Sequence, residues 1–224
     1  MMAGRDLEFG YLPRVLDLDA GPVSIRTLPD LDGRIFRDGD EGVVDRWVYA
    51  PPQEVSVFGT GGRTVRTMPY PSRVFGLPKT HVLRHSCAAG PEHPDFLIWC
   101  LSFFQGMRLT SLDAGFLDCT PVEPGMLTDF MIADRDLGEA LLRADRFWME
   151  NAGKPVGTPQ VVAAIHALFV AGNPRLLQVE AFIWLYIALD AVFALVRSMF
   201  QVTKGVAHAN RIIWMCGEFQ IPAP

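Results

Sequence analysis

The feature that most constrains the fold is a series of four helix signals in the C-terminal part of the chain. The first three signals each begin at a residue whose side chain can cap a helix, followed by proline or by a glutamate three positions later. The predicted helices begin at Asp136, Thr158, Asn173 and Val206. Because the connections between them are short, the pattern predicts an antiparallel bundle of at least four helices.

The N-terminal part has the opposite character, since it is rich in glycine and proline and lacks helical periodicity. Short β-forming runs recur between turn signals. They are Pro22–Leu28, Val43–Ala50, Glu54–Phe58, Arg63–Met68 and His81–His85. The glycine-rich loop after Phe58 predicts a hairpin turn, and the apolar segment Asp95–Met107 fits a buried helix or a core strand. We therefore predict an α+β protein with a β-rich domain over residues 1–133 and a helical bundle domain over residues 134–224.

Charge and cysteine usage narrow the class of protein. The 224 residues carry a formal net charge of −5. An acidic chain without a long basic stripe is not expected to recognise duplex DNA. The four cysteines form no CxxC pair, and the first residues lack the apolar stretch of an export signal. Reduced thiols and a cytoplasmic location are therefore predicted.

The most apolar segment is Ala181–Val196, with Asp190 as its single charged residue. It is shorter than the roughly 20 residues that cross a bilayer, and a carboxylate inside it is costly in hydrocarbon. We therefore predict no membrane span. One face of a four-helix monomer does not cover so much apolar surface, so we expect a homodimer formed through the helical bundle.

Three histidines and one cysteine lie close together in the sequence. They are His81, His85, Cys87 and His93. Side chains on one face of a strand point outward in parallel, whereas zinc needs ligands that converge. We predict exposed or hydrogen-bonded histidines near a loop, and no metal. The glycines match neither a P-loop nor a Rossmann pattern, so no cofactor is predicted.

The candidate catalytic residues are Asp190, His208 and Arg211. Asp190 has Tyr186 one turn before it and Arg197 two turns after it. A carboxylate buried there is either a core aspartate satisfied by a tyrosine or a helix N-terminus, or a group that orients a ligand in a cleft between helices. His208 and Arg211 share a helix face, where arginine can hold a phosphate and histidine can move a proton.

Two segments, EAFIWLYIALDAVFALV (180–196) and HANRIIWMCGEF (208–219), resemble the helical core of HEPN-domain proteins. The chain is most similar to ApeA-like members, in which a β-rich domain precedes the bundle, and DFLIWCLSFFQGMRLT (95–110) resembles part of that preceding domain. The resemblance implies a HEPN-like bundle and a dimeric, metal-independent ribonuclease fold used in phage defence or toxin systems. Asp190 would match the acidic helper residue of such proteins.

HEPN members cut RNA with an arginine that precedes a histidine by five to seven positions, and no histidine of this sequence has that arginine. His208 and Arg211 stand in the reverse order. One hypothesis is an RNA-acting protein of a defence or toxin system whose motif lies beyond Pro224. A second is a non-catalytic binding or sensing module of the same architecture. A third is an unrelated small-molecule-binding protein or enzyme with its site between the two domains.

Overall fold

A computed structural model describes residues 5–49, 53–59, 61–68, 77–112, 119–202 and 205–222. Its strands are β1 (Arg5–Phe9), β2 (Leu18–Ala20), β3 (Val23–Thr27), β4 (Val43–Val44), β5 (Trp47–Tyr49), β6 (Gln53–Gly59), β7 (Gly62–Met68), β8 (His81–His85) and β9 (Cys119–Pro121). Its α-helices are α1 (Glu92–Gln105), α2 (Asp134–Asn151), α3 (Thr158–Ala171), α4 (Gln178–Met199) and α5 (Arg211–Glu218). Strands dominate the N-terminal half and helices follow, so the predicted α+β class is confirmed.

The chain divides into two compact units, Met1–Arg146 and Phe147–Pro224. The division falls inside α2. The predicted domain boundary between residues 133 and 134 coincides with the start of α2 and stays a prediction.

The core of the first unit is an antiparallel sheet with the strand order β1-β8-β3-β2. In its central register Leu83 lies opposite Leu7 and Ile25. Leu83 and Ile25 are fully buried, whereas Arg84 points to the other face and is exposed. This alternation is the period of two expected for a sheet with one covered face. His81 and His85 therefore point into the core.

Helix α1 packs near this sheet and is apolar nearly all round, which settles the open choice for Asp95–Met107 in favour of a helix. Phe96, Leu97 and Leu101 are buried along it. The helix ends at Gly106, whose φ of 62° is the left-handed conformation that glycine adopts without steric cost.

Two smaller antiparallel sheets complete the strands of the first unit. One of them has the strand order β4-β5-β9. The strand predicted over Val43–Ala50 is split into β4 and β5, because Asp45 and Arg46 adopt positive φ values and form a turn. Strands β6 and β7 pair with Gly59 opposite Gly62, so the hairpin predicted at the glycine-rich loop is confirmed. The sequence patterns missed β1, β2 and β9.

Helix α2 contributes its first turns to the β-rich unit. Leu137 and Leu141 are fully buried, and Arg14 holds the start of the helix through an ion pair of 2.5 Å with Asp134. The helix begins two residues before the predicted Asp136.

The second unit is built on the packing of α3 along α4, and α5 covers part of α4 through Phe193, Val196 and Met215. Helix α4 begins at Gln178 and not at the predicted Asn173. The side chain of Asn173 instead accepts a hydrogen bond of 2.9 Å from the N–H of Arg175, which forms a turn before the helix.

Most of helix α4 is exposed within the described part of the chain. The apolar run lies within 22 helical residues, and 17% of its most apolar window is buried. Among the residues that the structure describes, α4 alone has the length and composition of a membrane span. One such helix is weak evidence for a span, because the core helices of soluble proteins meet the same criteria. Within the described residues of one chain the other helices do not bury this run, and its burial in a homodimer interface stays a prediction.

Candidate functional site

The three residues predicted for catalysis lie together in the second unit. Asp190 of α4 accepts a hydrogen bond from Nη1 of Arg211, the first residue of α5. Nη2 of Arg211 lies 3.2 Å from Nε2 of His208, which belongs to a short 3₁₀ turn just before α5. Nδ1 of His208 contacts the hydroxyl of Tyr186, one turn before Asp190 on α4. The four side chains form a continuous array, named here the α4–α5 array.

The contacts of His208 determine which tautomer a neutral ring adopts. An arginine can only donate hydrogen bonds, so Nε2 of His208 accepts from Arg211. A neutral imidazole then carries its proton on Nδ1 and donates it to the hydroxyl oxygen of Tyr186. The hydroxyl proton of Tyr186 remains available to a ligand, and this side chain is exposed.

Arg211 is held from two sides. Its guanidinium lies over the ring of Phe193, 4.5 Å from the centroid, while Asp190 binds Nη1. The Arg211 side chain is 13% exposed and that of Asp190 is 54% exposed. Nε of Arg211 is buried without a hydrogen-bond partner among the described residues. The arrangement fixes the arginine and, through it, the orientation of His208.

The interpretation of Asp190 as a buried core carboxylate is wrong. Its side chain is half exposed, and its partner is Arg211 and neither Tyr186 nor a helix N-terminus. Arg197, expected on the same stripe, instead donates to the carbonyl of Val202 at 3.2 Å. The pairing of Tyr186 with His208 joins residues 22 positions apart in different elements. No local sequence signal reports that contact.

A second polar cluster lies in the β-rich unit and combines His85 of β8, His93 of α1 and Asp145 of α2. Nε2 of each histidine lies close to Oδ1 of Asp145, at 2.8 Å for His85 and 2.9 Å for His93. Both histidines are buried. Burial lowers the pKa of His93; the neighbouring His85 lowers it further, and Asp145 opposes the shift. Of the two predicted alternatives, exposed or hydrogen-bonded histidines, the structure shows hydrogen-bonded histidines that are buried.

The ligand atoms of this cluster lie within 4.8 Å of one another, close enough to surround a metal ion. Their hydrogen bonds argue against that use. The backbone N–H of Cys87 donates to Nδ1 of His85 at 3.2 Å, and that of Ala89 donates to Nδ1 of His93 at 3.3 Å. Each neutral ring then carries its proton on Nε2, and His85 donates it to Oδ1 of Asp145. A histidine that binds a metal through Nε2 needs its proton on Nδ1, so the donor set does not fit a metal ion.

His81 takes no part in either cluster. Its ring stacks on Phe9, and its nitrogens contact the hydroxyls of Thr80 at 2.9 Å and Thr27 at 3.3 Å. Burial lowers the pKa of His81 to about 4. Cys87 is exposed, and its backbone N–H donates to Nδ1 of His85.

No family model matches the chain, and neither the curated proteins nor the solved structures include a significant match. The resemblance to HEPN-domain proteins therefore stays a prediction, and so do the catalytic roles of Asp190, His208 and Arg211.

Proposed function

We propose that this chain is a HEPN-like, RNA-acting protein of a defence or toxin system that works in the cytoplasm as a homodimer. The observation that carries the proposal is the α4–α5 array, in which Tyr186, His208, Arg211 and Asp190 meet on an exposed face. An imidazole and a hydroxyl can transfer protons and a guanidinium can hold a phosphate, so the array offers groups suited to metal-independent phosphodiester chemistry. Free cysteines are in keeping with a cytoplasmic location.

The apolar surface around the array supports a homodimer. Exposed large apolar side chains of α4 include Phe182, Ile183, Leu185, Ile187 and Val192. Phe182, Tyr186 and Asp190 are spaced by four residues and therefore follow one stripe of the helix. An apolar face of this kind in a protein outside a membrane marks an interface. A second copy that covers the stripe would bring the array into the dimer interface.

The array can move a proton between the two oxygens of an RNA cleavage reaction. The 2′-hydroxyl gives its proton to Nε2 of His208 while its oxygen bonds to phosphorus. The bond from phosphorus to the 5′-oxygen breaks, leaving a cyclic phosphate, and the 5′-oxygen takes the hydroxyl proton of Tyr186. Nδ1 of His208 then returns a proton to Tyr186. Arg211 moves from Nε2 to a phosphate oxygen, where its charge stabilises the transition state.

One observation favours RNA binding without cleavage as a second candidate. Both terminal nitrogens of Arg211 are engaged, one by Asp190 and the other by His208. If these contacts persist when RNA binds, the imidazole cannot accept a proton, and the array acts as a binding surface.

The test measures cleavage and binding of single-stranded RNA by the purified protein in EDTA. Tyr186→Phe removes the hydroxyl, and we expect cleavage to fall by about 100-fold or more, in the range of general acid–base catalysis. Arg143→Lys is the matched control, because Arg143 forms an exposed ion pair with Glu139 on α2. Binding without cleavage would select the second candidate. Neither binding nor cleavage, or cleavage that EDTA abolishes, would refute the proposal.

Oligomeric state is tested separately by size-exclusion chromatography with light scattering. A dimer is expected at twice the chain mass of 24.9 kDa. Phe182→Glu places a charge on the apolar stripe and should give a monomer. A monomeric wild-type protein would contradict the dimer.

A further inference from the structure

The carboxylate of Asp190 uses only one of its two oxygens within the α4–α5 array. Oδ1 accepts a hydrogen bond from Nη1 of Arg211, whereas Oδ2 makes no hydrogen bond among the described residues. The side chain is 54% exposed, so a ligand can reach Oδ2. Each carboxylate oxygen has two lone pairs, and Oδ1 therefore keeps one acceptor position as well. Asp190 offers a ligand two neighbouring acceptors and no donor.

Asp190 lies next to the groups of the array that suit a phosphate. Only the guanidinium of Arg211 separates it from Nε2 of His208, because Nη1 contacts the carboxylate and Nη2 contacts the imidazole. The positive charge of Arg211 also balances the charge of the carboxylate, so that Asp190 does not present a net negative charge to a nearby RNA phosphate. A carboxylate placed in this way is suited to contact an uncharged part of the nucleotide.

Guanine is the base whose edge matches two neighbouring acceptors. Its Watson–Crick edge presents N1–H and the N2 amino group side by side, with nearly the spacing of two carboxylate oxygens. Adenine and cytosine each place an amino donor beside a ring nitrogen that accepts, and uracil places its N3–H between two carbonyl oxygens. An acceptor of the base that faces a carboxylate oxygen is left unpaired, which costs binding free energy.

We propose that Asp190 selects an unpaired guanine of single-stranded RNA, accepting N1–H and the N2 amino group while a neighbouring phosphate lies at His208 and Arg211. The inference rests on the proposed function, because it names the nucleotide that the α4–α5 array binds. Only an unpaired base exposes this edge, so the ligand is a single strand and not a duplex. Asp190 then has two roles, since it also holds Arg211 through Oδ1.

The test measures binding by fluorescence anisotropy, so that its result does not depend on cleavage. The full chain is titrated into single-stranded RNA oligonucleotides that carry one guanine, inosine, adenine or cytosine in an otherwise all-uridine sequence. We expect guanine to increase the affinity by about 10-fold or more over adenine and cytosine, in the range of a bidentate contact to a base. Inosine keeps N1–H but lacks the N2 amino group, so its affinity should fall between those of guanine and adenine.

The variant Asp190→Asn separates recognition of the base from support of Arg211. Its amide oxygen can still accept from Arg211, and the amide nitrogen then places a donor where Oδ2 was an acceptor. The preference for guanine over adenine should therefore be lost. Glu218→Gln is the control, because it removes the same charge from an exposed residue at the end of α5 that takes no part in the array. This control should keep the wild-type preference.

The contradicting results separate this inference from the proposed function. If RNA binds but the oligonucleotides have equal affinities, or if Asp190→Asn keeps the preference for guanine, the assignment of Asp190 is wrong and the proposed function stands. A variant that binds every oligonucleotide more weakly by the same factor would also overturn the inference, because Asp190 would then only support Arg211. If no oligonucleotide binds, the proposed function and the inference both fail.

The wild-type protein provides a second measurement that decides the question if Asp190→Asn does not fold. Methylation of guanine at N1 removes the N1–H donor and leaves the rest of the base in place. An oligonucleotide with 1-methylguanine should therefore lose the advantage of guanine over adenine. If the methylated base binds as tightly as guanine, the proposed contact with Asp190 is refuted.

Discussion

His81 is fully buried in the core of the β-rich unit. The pH dependence of stability therefore tests whether this histidine is neutral and shielded from water in the folded protein. Its ring lies between Phe9 and two threonine hydroxyls, and burial lowers its pKa from 6.5 to about 4. The unfolded chain binds this proton more readily than the folded protein does. The contribution of His81 to stability is therefore complete above about pH 6.5 and is lost as the pH falls toward 4.

The size of the effect follows from the difference between the two pKa values. At about 1.4 kcal/mol per pKa unit, the full loss is about 3 kcal/mol, and most of it has occurred by about pH 4.5. We expect His81→Gln, which keeps hydrogen-bonding groups near both threonines, to remove this part of the pH dependence. The variant can be less stable than wild type at neutral pH, but its stability should fall less on acidification.

The assay is urea unfolding of both proteins at about pH 7.5 and about pH 4.5. The quantity compared is the loss of unfolding free energy in wild type minus the loss in the variant, so that contributions from all other groups cancel. The reasoning predicts a difference of about 2–3 kcal/mol. A difference near zero would show that His81 is charged or solvated in the folded protein and would refute the burial argument.

Two further predictions test the packing of the β-rich unit by unfolding measurements. Leu137→Ala should lower the free energy of unfolding by about 3 kcal/mol or more, because the side chain is fully buried, whereas Leu142→Ala on the exposed side of α2 should cost about 1 kcal/mol or less. Gly106→Ala should cost more than Gly153→Ala, although both glycines have positive φ, because a Cβ at Gly106 would lie 2.7 Å from Cα of Gly125 and one at Gly153 meets nothing within 4 Å. Equal costs in either pair would contradict the packing described.

Sequence patterns located most of the elements because their signals are local. A few residues suffice to recognise the alternating pattern of β3, β6, β7 and β8. The same holds for the helix-capping residues near the start of α2. The sequence predicted a buried element at α1 but did not distinguish a helix from a strand, because a continuous apolar run has no periodicity that separates the two. Strand β1 was missed for another reason. It begins within the first residues of the chain and is defined by its pairing with β8, far away in sequence.

The two polar sites differ in how far sequence could predict them. Asp190 was predicted because it is a charged residue in an apolar helix. His208 and Arg211 were predicted because they are three positions apart, and both signals can be recognised from the sequence alone. Their mutual contact was not visible, and the role of Tyr186 depends on it. The cluster of His85, His93 and Asp145 could not be predicted, since Asp145 is 60 residues from His85 and lies in an ordinary amphipathic helix. Strand alternation correctly places His81 and His85 on one face, but the convergence arises from α1 and α2.

The position of Asp190 bears on what covers α4. As a membrane span, α4 would place this carboxylate near the middle of its 22 residues, together with the arginine that binds it. Even a paired charge is costly to move from water into hydrocarbon, where the two groups cannot reach the interface from that depth. At a dimer interface the same ion pair keeps its partner, and Tyr186 and His208 retain theirs. Flotation with vesicles of neutral lipid separates the two cases: a protein of the dimer mass that stays in the aqueous fraction supports the interface, and one that floats with the vesicles contradicts it.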